Sequence, residues 1–248
     1  MYRGEIGMTD VSRLERIRAE ERAYHDECYA RNELFAPGSW LQKPVATVMN
    51  LLPRLDRRSS LQMLDLGCGV GRNTIPMAQY IQKQGKSGQV AAVDLLESAI
   101  NGLGRYAQQY EVASSIRPVL SDIESYKFEP HSFDLIVAVS TLEHLRSIPI
   151  LKHKLNEMAA GTKPGGIVCI VMSSNIQEKR VATGESLDPM FEINLNTEAL
   201  IQMLDDAFTG WTLLDRQVKA LQFKIERRGE PVWLGSDCLT YVVQNPDL

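Results

Sequence analysis

Residues 63–71 read Met-Leu-Asp-Leu-Gly-Cys-Gly-Val-Gly. An apolar run carries Asp65 into three glycines on alternate positions, Gly67, Gly69 and Gly71. A short buried strand that ends in glycines brings bare backbone to the rim of a sheet, where a ligand can lie against it. The spacing narrows the ligand. A dinucleotide fingerprint counted from Gly67 needs a glycine where Arg72 stands, and the Gly-Lys-Ser/Thr of a phosphate loop is absent. Asp65, just ahead of the glycines, would repel a pyrophosphate. It suits a ligand with positive charge, such as an ammonium and a sulfonium.

Short apolar segments at 62–66, 90–94, 116–120, 133–139 and 166–172 alternate with helical patterns that start near Asn73, Glu97 and Pro149. Uninterrupted apolar strands are those of a parallel sheet buried on both faces. Further on, a helix is predicted over 197–208. Strands at 211–218 and 237–243 follow, joined by a segment that is charged over 224–229. The expected architecture is α/β: a doubly wound, Rossmann-like, seven-stranded, mostly parallel sheet with one antiparallel edge strand and helices on both faces. Right-handed crossovers put the carboxyl ends of the parallel strands on one edge, where ligands bind.

Residues 1–60 precede this pattern as a helical extension. A helix over 9–30 places Val11, Leu14, Ile17, Tyr24 and Cys28 near one face, with Ser12 and Glu15 spaced as a capping box. A second helix is expected over 44–55, after the break at Ala36-Pro37-Gly38-Ser39. Residues 61–248 make the main domain, and 173–196 is a polar insert without a clear period. A net charge of −4 argues against a dedicated nucleic-acid binder, which usually carries a basic face; Arg54, Arg57 and Arg58 are the nearest thing to a basic patch, and no nucleic-acid partner is expected. Cys28, Cys68, Cys169 and Cys238 form no C-x-x-C pair, which argues against a zinc site or a disulfide framework. The N-terminus lacks the pattern of a leader, and no apolar run approaches the ~20 residues of a membrane span. The expected location is the cytoplasm, with no membrane contact and no metal.

Five segments, in order and spacing, resemble the class I S-adenosylmethionine (SAM)-dependent methyltransferases over roughly residues 60–245. They are Leu64-Asp65-Leu66-Gly67-Cys68-Gly69-Val70-Gly71; Asp94 at the end of the second strand; Ser121-Asp122-Ile123 after the third; Phe133-Asp134-Leu135-Ile136-Val137 with Ser140-Thr141-Leu142-Glu143-His144-Leu145; and Lys163-Pro164-Gly165-Gly166 before the fifth. Gly71-Arg72-Asn73-Thr74, Thr162-Lys163-Pro164-Gly165-Gly166 and Gly210-Trp211 look like the tellurite-resistance and thiopurine-type small-molecule methyltransferases within that class. The tellurite enzymes carry a histidine in the C-terminal strand region. This chain has none after His153, so the likeness stays at the level of the subfamily.

The resemblance implies SAM as cofactor and S-adenosylhomocysteine (SAH) as product, and it assigns residues. Gly67, Cys68, Gly69 and Gly71 would leave room for the methionine and ribose parts, and Asp65 would hold the ammonium directly or through water. Asp94, beside Leu95, would accept from both ribose hydroxyls. Asp122 and the Ile123 N–H would meet the adenine, and Ser140 would lie by the methionine moiety. Asn73 would cap the first helix and touch the cofactor.

Methyl transfer from a sulfonium relies on proximity and alignment, and needs a base only when the acceptor must lose a proton. Glu143 and His144, just past the fourth strand, are the candidates for base or pocket wall. Tyr29, Trp40 and Lys43 belong to an extension that in this class often folds over the cofactor as a lid. The insert 173–196 lies on the substrate side. The reading that follows is methyl transfer to a small-molecule acceptor. A protein or RNA acceptor, or a SAM-binding protein without transferase activity, is the alternative.

Overall fold

A computed structural model describes residues 6–227 and 229–247 of the chain, with the backbone alone for residues 6–12. The side chains of Val11 and Ser12, placed above on a helix face and in a capping box, therefore lie outside the described residues. In chain order the elements are α1 (Ile6–Arg31), α2 (Ala46–Leu51) with a 3-10 turn at Leu52–Leu55, β1 (Ser60–Leu66), α3 (Thr74–Lys83), β2 (Ser87–Asp94), α4 (Glu97–Gln109), β3 (Ile116–Leu120), β4 (Phe133–Val139), α5 (Ile148–Gly161), β5 (Thr162–Arg180), β6 (Ser186–Leu187), α6 (Thr197–Ala207), β7 (Thr212–Arg227) and β8 (Glu230–Gln244).

The strands order as β3-β2-β1-β4-β5-β8-β7, and β6 pairs with the outer part of β5. The pairs from β3 to β5 are parallel, and β8 runs antiparallel to both β5 and β7. The doubly wound, mostly parallel sheet with its antiparallel edge is the architecture expected from the alternation of apolar segments.

Alternation along β1 shows why its segment is apolar nearly throughout. Leu61 and Met63 face a core layer with Val48 and Leu51 of α2, Ile75 and Met77 of α3 and Leu103 of α4. Leu64 and Leu66 face the opposite layer, with Leu151 and Leu155 of α5 and Leu200 and Leu204 of α6. Both faces of a strand covered by helices are apolar, and each fully buried Leu or Met contributes roughly 1.5–3 kcal/mol. Two buried charged groups tie the layers at their ends. Asp134 accepts from the Gln62 N–H at 2.7 Å and from Lys163 Nζ at 2.8 Å. Lys154, without solvent exposure, donates to the Tyr126 carbonyl at 2.9 Å and to Glu157 at 2.5 Å.

The edge beyond β5 differs from expectation. The strand expected over 166–172 runs from Thr162 to Arg180, so the first third of the insert 173–196 is strand. Its register to β8 shifts between Ser174 and Gln177, where Asn175 takes a φ of +48°. A bulge there bends the strand. The terminal strands are also longer than 211–218 and 237–243. They form a hairpin paired from Thr212↔Gln244 to Arg227↔Glu230. Most of β7 is solvent-exposed, so burial leaves little apolar mark on its sequence.

Candidate functional site

Strand order reverses between β1 and β4, and the loops leaving the carboxyl ends of β1, β2 and β4 meet there. After β1 the backbone turns on Gly67 and Gly69, with φ of +68° and +54°. The turn is pinned to β2, because the Gly67 and Cys68 N–H groups donate to the Val93 carbonyl at 2.8 and 3.0 Å. A Cβ at position 67 would collide with the Thr141 side chain, and one at position 69 would lie 2.8 Å from the Tyr29 hydroxyl. Glycine is thus required twice, by dihedral and by space.

Asp94 closes β2. One carboxylate oxygen accepts from the Gly69 N–H at 2.8 Å and the other from the Leu96 N–H at 2.9 Å. Burial raises its pKa, against the pull of those two amides. Each oxygen keeps a lone pair for a ligand hydroxyl.

A cavity of about 840 Å³ opens over this rim. Gly67, Cys68, Gly69, Asn73, Asp94, Leu95, Asp122, Ile123 and Ser140 are on its wall, as are Tyr29, Trp40, Glu143 and His144. Lys43 and Gly71 are not on that wall, and neither is Asp65. As an odd-numbered residue of β1, Asp65 points with Leu61 and Met63 toward α3, where it accepts from Thr74 Oγ1 at 2.6 Å. Burial raises its pKa to about 6, opposed by the Thr74 hydrogen bond and by Arg72. The carboxylate expected to hold an ammonium is instead engaged behind the loop. Asn73 also departs from expectation. Its side chain does not cap α3, but accepts from the Val45 N–H at 3.0 Å and so joins the extension to the glycine loop.

α1 crosses the cavity mouth. Arg18 lies 3.7 Å from Asp122 and 3.3 Å from Glu124, and Glu21, Tyr24, His25 and Tyr29 line the wall. Arg18, Glu21, His25 and Tyr29 recur at spacings of three and four, one face of a helix. That polar stripe was the available signal for Arg18 and Glu21, which the sequence reading did not single out.

His144 lies with its Nδ1 3.1 Å from a Glu192 oxygen, its Nε2 3.9 Å from Glu21, and its ring stacked on Phe191 at 5.7 Å. Burial alone would lower its pKa, but the Glu192 hydrogen bond and the charges of Glu21 and Glu143 outweigh this and raise it to about 9. At neutral pH the imidazole is therefore a cation held between carboxylates, not a free base. Glu192 had no sequence signal. Phe223 and Ile225, also on the wall, had one: Leu221, Phe223 and Ile225 alternate with Gln222, Lys224 and Glu226, a strand pattern masked by the charge of the segment. Among the described residues no group of three or more His, Cys, Asp or Glu is placed to hold a metal ion, and no helix is long and apolar enough to cross a membrane.

The layering and the rim of the sheet define a Rossmann-like α/β fold with its cavity at the switch point. Residues 63–166 match the family described as a methyltransferase domain. Sterol 24-C-methyltransferase of Candida albicans is 23% identical over 162 residues, which cover 60% of this chain and 41% of that protein. Ubiquinone biosynthesis O-methyltransferase of Rickettsia akari is 28% identical over 127 residues, 51% of this chain and 45% of that one. The chain spans less than half the length of these curated relatives. Among solved structures, Burkholderia thailandensis 1,6-didemethyltoxoflavin-N1-methyltransferase, with bound 1,6-didemethyltoxoflavin and SAH, aligns at a TM-score of 0.57 and 18% identity, over 100% of this chain and 94% of that chain. That likeness is one of fold.

Proposed function

We propose that the protein transfers a methyl group from SAM to a small organic acceptor held in the same cavity. One observation carries this reading: a single continuous cavity runs from the Gly67–Gly69 turn and Asp94 to Glu143 and His144, beneath α1 and the β7–β8 hairpin. Its volume, about 840 Å³, is within the range of small-ligand sites.

The residues fit the cofactor. The glycine turn offers backbone that a Cβ would obstruct, and Asp94 offers both carboxylate oxygens to a cis-diol. Asp122 and the Ile123 N–H would take the adenine, with Ser140 beside the methionine end. The bound cofactor supplies a methyl group on a sulfonium, already a good leaving group. What the protein adds is alignment and exclusion of water. α1 does both, since Arg18 fixes it to Asp122 while Tyr24 and His25 cover the cavity. In this reading residues 13–60 act as the lid, and Phe191, Glu192 and Phe223 face the acceptor. The curated relatives, by name, act on sterols and in ubiquinone biosynthesis, which is consistent with a small acceptor.

Calorimetric titration with SAH tests the cofactor site. Wild type is expected to bind, and Asp94→Ala to bind at least about tenfold more weakly, a loss of ~1.4 kcal/mol. Absence of SAH binding by folded wild type would overturn the reading.

A further inference from the structure

We propose that the acceptor presents an amine to Glu143, and that Glu143 takes the proton the nitrogen must release before it is methylated. This assignment depends on the cofactor placement proposed above and adds the reacting atom.

Glu143 is 1% exposed. Its backbone carbonyl accepts from the Ile193 N–H at 3.0 Å, and its Oε1 accepts from the Ser173 N–H at 3.2 Å. The side chain is therefore fixed. Glu143 lines the cavity wall, and its Oε2, itself buried, has no hydrogen-bond partner among the described residues. A buried carboxylate oxygen left without a donor is costly, and a ligand N–H would relieve that cost. On the facing helix, His25 Nδ1 is likewise buried without a partner among the described residues.

Charge selects an amine over other donors. Glu21, Glu143 and Glu192 surround one imidazolium, His144, and Glu192 and Glu21 are its near partners at 3.1 and 3.9 Å. Arg18 is engaged by Asp122, Glu124 and Glu192, and Arg72 by the Trp40 carbonyl and ring, while Arg22 and Lys224 on the wall are exposed. Among the described residues Glu143 has no ion pair of its own. A carboxylate acceptor would add a fourth negative charge around His144, whereas an amine supplies a positive one. Place also favours the acceptor over the cofactor's own ammonium. Glu143 is held by Ser173 at the end of the core of β5 and by Ile193 of the insert, across the switch point from the glycine turn and Asp94.

The bound ammonium first passes one N–H proton to Glu143 Oε2. The lone pair so freed forms the N–CH3 bond as the C–S bond breaks and leaves its electron pair on sulfur, and the product nitrogen keeps the positive charge. Burial raises the Glu143 pKa, which brings the protonated form within reach.

The test is calorimetry on the SAH-saturated protein with benzylamine, benzyl alcohol and benzoate as probes. Benzylamine is expected to bind about tenfold or more tightly than the other two. Glu143→Gln should abolish that preference and leave SAH affinity within about twofold, and Glu143→Asp, which keeps the charge, should retain part of it. Equal or absent binding of benzylamine, or a preference that survives in Glu143→Gln, overturns the assignment. SAH binding lost in Glu143→Gln but kept in Glu143→Asp would place Glu143 on the cofactor's ammonium and overturns it too. If wild type binds no SAH, the cofactor reading fails and the amine assignment fails with it.

Discussion

At the scale of single residues, Gly69 carries two separable constraints. Its φ of +54° disfavours any side chain, and a Cβ there meets the Tyr29 hydroxyl. Gly69→Ala should lose about 1–2 kcal/mol of stability from the dihedral alone and weaken SAH binding further through the contact. Tyr29→Phe in the Gly69→Ala background should restore the part due to the contact and leave the rest, as read by denaturation and calorimetry on the four proteins. His144 gives a pH signature. Its pKa is 6.5 in the unfolded chain and about 9 in the fold, so its stabilisation is complete below pH 6.5 and is lost as pH rises through 9. The shift corresponds to about 3 kcal/mol at most. Urea denaturation at pH 6 and pH 9.5 should show this decline in wild type and a flatter profile in His144→Gln. Sequence made the glycine turn and Asp94 legible, because their chemistry is local. It placed Asp65 in the site although strand alternation, which buries Leu61 and Met63 on one face, assigns Asp65 to that face as well.

At the scale of elements, the strands buried on both faces were legible from β1 through the core of β5, since burial leaves an apolar run. The outer half of β5, β7 beyond Val218 and the start of β8 were not. In β7 most side chains meet solvent, and in outer β5 buried Ser174, Ile176 and Glu178 alternate with more exposed neighbours, so neither leaves an apolar run. α1 is a related case. Among its described side chains Ile17 is the fully buried anchor, and much of its attachment is polar, through Arg18 to Asp122 and Glu124 and through Asp26 to Ser98. An element held this way opens more readily than the sheet. Arg18→Ala should lower amide-exchange protection across α1 while protection in β1 and β4 stays unchanged. SAH should restore much of the loss.

At the scale of the molecule, Lys154 couples the core to the site. Its ammonium is anchored on the Tyr126 carbonyl, its stem lies in α5, and its charge lies 5.3 Å over the Phe128 ring. The segment it holds begins at Asp122, on the cavity wall. Lys154→Ala strands the Tyr126 carbonyl, while Glu157 keeps Lys127 and His153 nearby, and should cost about 1–3 kcal/mol by urea denaturation. SAH affinity should fall in the same variant, because the loop carrying Asp122 loses its support. Lys154→Met, which keeps the stem, should be less severe in both measurements. One further feature acts at this scale. The same helix, α1, reaches Asp122 through Arg18 and His144 through Glu21, and so lies over both ends of the cavity. Once one ligand has ordered that helix, the second meets it already ordered and loses less entropy on binding. The two ligands should therefore assist each other reciprocally and by the same factor, which makes α1 the seat of their cooperativity.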